Sequence, residues 1–218
     1  MKKMTKIVLS LMVTGLTSAA FAQDDAMGTS EASTPRTSSS PDRFFRRAIV
    51  EGSLVNAGWE GSQDTRYSKP NGYTAGILFD IIGTQSLVLE LGAMYRQLGT
   101  TVDNGLGSND FTANYISVPV AAKYYFSGQE STSLYLKAGL MGSVLVSNNT
   151  VYATRTTQVG PNNWETAALA GLGLKVNVAS STDLLLEADY TRSIDSVFSN
   201  QNVYRSDLGA ALGVAINL

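Results

Sequence analysis

From residue 44 onward, apolar and polar positions alternate with a period of two. That period sends successive side chains to opposite faces of a β-strand. Strands are predicted over residues 46–58, 72–82, 86–97, 112–126, 133–146, 164–178, 182–191 and 203–218. No helix-period stretch of useful length intervenes. One face of the second segment reads Tyr73, Ala75, Ile77, Phe79, Ile81. The fifth reads Leu134, Leu136, Ala138, Leu140, Gly142, Val144, Val146, and the last reads Leu208, Ala210, Leu212, Val214, Ile216, Leu218. These faces carry no charge and no side-chain amide.

The opposite faces carry the charges. Glu51, Asp80, Glu90, Glu187 and Asp189 are acidic there, and Arg96, Lys123, Lys137 and Lys175 are basic. Small residues fill much of the rest, including Gly76, Gly92, Gly139, Gly171, Gly173, Ala211 and Gly213, while Leu78, Met94 and Met141 are larger exceptions. A soluble sandwich or lipocalin-like barrel would put its apolar face inward. A membrane barrel reverses this, with the apolar face toward lipid and the polar face toward the lumen.

Three features favour the membrane barrel. Connections alternate in length. Residues 83–85, 127–132 and 179–181 are short, whereas 59–71, 98–111, 147–163 and 192–202 are long and polar. Short turns at one end and long loops at the other are the outer-membrane arrangement. Aromatics gather at the ends of the apolar face: Tyr73, Tyr95, Trp164, Tyr190 and Tyr204 beside the long loops, Tyr124 and Phe126 at the short turns. Such girdles sit at lipid headgroups. Finally, Gly and Ala share the charged face, as the cramped interior of an eight-stranded barrel demands.

The segments YISVPVAAKYYF (115–126), LYLKAGLMGSVLV (134–146) and LGAALGVAINL (208–218) complete the picture. With them the chain resembles the small bacterial outer-membrane β-barrels of OmpA/OmpX type. The resemblance implies an all-β fold, an eight-stranded antiparallel up-and-down transmembrane barrel with short periplasmic turns and long extracellular loops. It also implies contact with outer-membrane lipid and lipopolysaccharide, handling by the outer-membrane assembly machinery, and a monomeric state. Members of that family usually end in an aromatic residue; here the final residue is Leu218.

Composition narrows the function. The chain of 218 residues contains no His and no Cys. That removes the commonest general base, every His-based triad, thiolate chemistry and disulfides. Barrel enzymes acting on lipids rely on His, so no catalytic activity is expected. No cofactor and no metal site are expected either. Pairs such as Asp195 with Ser193 or Ser196 are ordinary loop sequence. The stretch DNGLGSND, with Asp103, Asn104, Asn109 and Asp110, lacks the EF-hand spacing.

Residues 1–22 read as a cleaved secretory signal. Lys2, Lys3 and Lys6 precede an apolar run over 7–16, and Ala20-Phe21-Ala22 fits the cleavage rule. The run is too short to span a membrane as a helix. The remaining residues carry a net charge of −5, which argues against nucleic acid as a partner. Residues 23–43 are rich in Ser, Thr, Asp and Pro and read as a disordered linker. The barrel domain is assigned to residues 44–218.

The lumen charges are expected to pair and plug the interior, because isolated buried charges are costly. Pro119, mid-strand with inward parity, is expected to mark a bulge. The function read from the sequence is structural: envelope integrity, with the loops as an interaction surface. Arg66, Lys69, Arg155, Arg192 and Arg205 are candidates for lipopolysaccharide phosphates. Two alternatives stand beside it, a narrow ion or small-solute channel and a soluble periplasmic lipocalin-like lipid-binding barrel.

Overall fold

The computed structural model describes residues 45–60, 66–68, 71–103, 108–129, 131–150, 162–197 and 203–218. The proposed signal and linker lie outside the described residues, as do Lys69, Arg155 and most of the connection over 151–161. The strands are β1 (Arg47–Glu60), β2 (Arg66–Ser68), β3 (Asn71–Gly83), β4 (Leu87–Asp103) and β5 (Ser108–Gln129). They continue as β6 (Thr132–Thr150), β7 (Trp164–Ala179), β8 (Thr182–Ser193) and β9 (Tyr204–Asn217).

Every pairing is antiparallel, and the ring β4-β3-β1-β9-β8-β7-β6-β5 closes through β4–β5. The first and last long strands form one seam, from Arg47 opposite Asn217 to Glu60 opposite Tyr204. Closure leaves no unpaired edge in the ring, which is what a strand protein in hydrocarbon requires. The three-residue β2 lies outside the ring and pairs only with the outer part of β4.

Strand length is the main departure from the sequence reading. Residues 98–111 and 147–163 are expected from the sequence to be loops. In the structure β4 runs to Asp103, β5 starts at Ser108 and β6 reaches Thr150. Pairing continues without apolar alternation, with Leu98 opposite Ala113 and Thr101 opposite Asp110. These extensions stand beyond the stretch of ~9–11 residues that crosses hydrocarbon. Their outward positions carry Gly99, Thr101, Thr112 and Asn114 rather than large apolar residues, so no lipid face writes itself into the sequence. β5 is 22 residues long, against 12 for β8.

Two local irregularities also correct the pattern. Between Asp80 and Gly83 the β3–β4 register slips, setting Ile81 and Ile82 opposite the single residue Leu89. This bulge turns Ile81 inward, where it is buried, although strict alternation assigns it to the lipid face. At Pro119 there is no bulge. The β4–β5 ladder breaks off at Leu91–Val120 and resumes at Met94–Ser117 in the same register. Proline has no N–H to donate, so the ladder skips rather than shifts.

Alternation elsewhere decides burial. Leu134, Leu136, Leu140, Leu172, Leu186 and Leu212 are exposed, while Lys123, Tyr125, Tyr135 and Leu185 on adjoining positions are buried. The apolar surface therefore points out of the barrel and the charged surface into it. A soluble lipocalin-like barrel needs the reverse.

Candidate functional site

The lumen is built by alternate residues of all eight ring strands. All nine charged residues singled out from the sequence point into it: Glu51, Asp80, Glu90, Arg96, Lys123, Lys137, Lys175, Glu187 and Asp189. Five more join them. Arg47, Glu165, Asp183, Arg205 and Asp207 are buried inside as well. Among the described residues, eight acidic groups thus face six basic ones.

They fall into three groups along the axis. At the short-turn mouth, Arg47 Nε lies 2.9 Å from Asp80 and its Nη1 lies 3.5 Å from Asp183. Lys175 stands 3.9 Å from Asp183. Arg47 also donates to the Tyr125 hydroxyl at 3.2 Å, with its guanidinium 5.4 Å from the ring centroid. In the middle, Lys123 contacts Glu90 and lies 3.5 Å from Glu187 and 3.8 Å from Asp80. Lys137 contacts Glu187 and lies 3.3 Å from Asp189. Toward the long loops, Arg96 pairs with Asp207 at 2.7 Å, and Arg205 bridges Glu165 at 2.9 Å and Asp207 at 3.0 Å.

Arg205 corrects an expectation. Read as a surface contact for lipopolysaccharide, it is only 1% exposed and packs 5.4 Å from the Tyr115 ring centroid. Its position alternates with Asp207 and Gly209 on β9, so parity could have assigned it to the lumen. Glu165 and Asp183 were legible in the same way, from the parity of Lys175 on β7 and Glu187 on β8.

Apolar clusters interleave with the charged groups. Ile49, Leu78, Val88, Tyr125, Tyr135 and Leu185 pack together toward the short turns. Toward the long loops Val55, Leu98, Phe111 and Tyr115 pack with Val197 and Val203, which come from the β8–β9 connection. That connection is tied down by Val197 N–H donating to Val203 at 2.8 Å and by Asn162 donating to Val197 at 2.7 Å. Loop residues thus pack into the outer end of the lumen, a feature that period-two reading cannot see.

Small residues make room for the large ones. The Tyr135 ring, whose hydroxyl donates to Glu187, lies over Gly173, and any Cβ there would overlap it. At Gly209 a Cβ would find its nearest neighbour at 3.5 Å, an ordinary contact. Gly173→Leu is therefore expected to lower barrel stability by roughly 1–3 kcal/mol through overpacking, read as the urea midpoint of the refolded barrel. Gly209→Ala should leave that midpoint nearly unchanged.

The aromatic set faces outward. Tyr124, Phe126, Trp164, Tyr190 and Tyr204 are exposed, and Tyr73 and Tyr95 are half-buried, their rings 6.2 Å apart. Tyr124 and Phe126 stack edge to face at 5.6 Å at the short-turn end. Among the described residues the lumen offers charge pairs and hydroxyls, most of them held by a neighbour.

Comparison with known proteins agrees with this geometry. The fold is similar to that of the outer membrane protein OprG from Pseudomonas aeruginosa, with a TM-score of 0.60 and 11% identity over 81% of this chain and 97% of that one. It is also similar to neisserial surface protein A, with a TM-score of 0.50 and 19% identity over 78% of this chain and 97% of that one. A search of curated proteins finds no match. Residues 37–199 match the family described as outer membrane protein β-barrel domain. With most of the chain matched and the apolar face turned to lipid, the protein belongs to that family and resides in the bacterial outer membrane.

Proposed function

We propose that this protein is a non-catalytic structural barrel whose lumen is closed to solute flow. Its work is envelope integrity and surface interaction through its outer rim. One observation carries this reading. Charged groups and apolar clusters pack the interior, and the cavity among Glu51, Glu90, Lys137 and Asp189 measures only about 40 Å³. At ~10–15 Å³ per water, that is room for about three waters and for no larger solute. The lack of His and Cys in the whole chain supports the non-catalytic part. Arg192, exposed at the long-loop end of β8 close to Tyr190, supports contact with lipopolysaccharide phosphates. Insertion by the outer-membrane assembly machinery and a monomeric state complete the proposal.

A second reading, a narrow channel, has one observation in its favour. At the short-turn mouth a polar vestibule of about 350 Å³ is lined by Arg47, Lys175, Asn177, Asp183 and Asn217. Planar-bilayer recording separates the two. The closed barrel gives a quiet baseline with at most rare, brief events. Large, steady single-channel openings would establish the channel instead.

A further inference from the structure

We propose that the middle of the lumen holds one hard divalent cation, bound by Glu51 of β1 and by Glu187 and Asp189 of β8. Carboxylate oxygens of these three residues lie within 4.8 Å of one another. Like charges so close repel strongly where water is scarce.

The imbalance is local. In the middle group four carboxylates, Glu51, Glu90, Glu187 and Asp189, face only the ammonium groups of Lys123 and Lys137. Asp80 is taken by Arg47 at 2.9 Å. Two negative charges are left over in a closed interior, the charge of one divalent ion. Carboxylates buried unbalanced either take up a proton or bind a counter-ion, and the metal count below separates the two.

The carboxylate left out can be named. Glu90, Glu187 and Asp189 each reach a lysine, but Glu51 makes no ion pair among the described residues. It is 2% exposed, and its Oε2 has no hydrogen-bond partner. It lines the 40 Å³ cavity together with Asp189, Ser53, Thr74 and Thr191, and with Lys137, Arg96 and apolar residues such as Leu78 and Met94. An unpartnered buried carboxylate thus faces a small space that Asp189 and three hydroxyl residues share.

The fold explains why the carboxylates converge. β1 and β8 both flank β9, and Glu51, Glu187 and Asp189 stand opposite Gly213, Ala211 and Gly209. These small β9 positions let the carboxylates lean over it and meet. Three carboxylates with neighbouring hydroxyls form the oxygen donor set that calcium, magnesium or manganese prefers. This site rests on the closed lumen proposed above, which bilayer recording tests separately from the metal count.

The test counts metal on the full chain. The protein is refolded from urea into detergent, without lipopolysaccharide, in calcium, magnesium or manganese chloride. Free metal is then removed by gel filtration and bound metal is measured by mass spectrometry. About one ion per folded chain is expected with at least one of the three salts. Glu51→Gln should lose that ion, while Asp183→Asn, the same charge change at the mouth, should keep it. If Glu51→Gln does not yield the folded band, Asp189→Asn takes its place. Wild-type protein that binds none of the three overturns the proposal, as does a folded Glu51→Gln protein that retains the full complement.

Discussion

Replacing Lys123 with Glu prevents recovery of the folded barrel. Lys123 is 0% exposed and sits among Glu90, Glu187 and Asp80, with its ammonium 5.3 Å from the Tyr135 ring centroid. Charge reversal replaces the hub of that group with a further anion, in a space already short of cations. Removing one partner from a buried pair costs about 3–5 kcal/mol. A whole domain has a net stability of roughly 5–15 kcal/mol. Reversal costs more than removal, so the refolding yield should fall close to zero, seen as loss of the band that migrates differently before and after boiling. Lys123→Met, which keeps the chain volume, should fold with its stability lowered by about 3–5 kcal/mol. A Lys123→Glu barrel with a wild-type unfolding midpoint would show that the interior charges are solvated and the column is not a packed core.

Leu172→Arg is expected to destabilise the protein in lipid by about 2–4 kcal/mol. Leu172 lies midway along β7, 52% exposed, opposite Leu136 on β6 and Ala188 on β8. In water that exposure would make arginine nearly harmless. Facing hydrocarbon, arginine must shed its hydration or drag water inward. Val178→Arg near the end of the same strand should cost only about 0–1 kcal/mol, because the headgroup region tolerates charge. Equilibrium unfolding from lipid vesicles measures both. Equal, small effects at the two positions would contradict the outward orientation of the apolar face.

Much of this architecture was written in the alternation. The faces of β4 to β9 could be sorted by parity because each strand crosses two solvents, lipid outside and a polar column inside. The signal fails where one of those conditions lapses. Ile81 was misassigned because a bulge inserts a residue and flips the face, and nothing in the residues Asp80-Ile81-Ile82-Gly83 announces it. The ends of β4, β5 and β6 were read as loops because their outward positions have left the hydrocarbon. Arg205 was placed on the surface because it adjoins a polar connection, although its spacing from Asp207 and Gly209 favoured the interior. The partners of each charge were not legible at all. Pairs such as Arg96 with Asp207 join residues 111 positions apart, and only the closed ring brings them together.

The unequal strands give the barrel an uneven crown. At ~3.3 Å per residue and a tilt of ~40°, 22 residues climb about 55 Å and 12 residues about 30 Å. β7 begins at Trp164 opposite Val144, and β6 runs six residues further to Thr150, so the β4–β6 side rises about 15 Å above the point where the β6–β7 ladder ends. A large molecule arriving from outside meets the taller ladder on one side of the rim first. Its approach is thereby oriented before any side chain touches it.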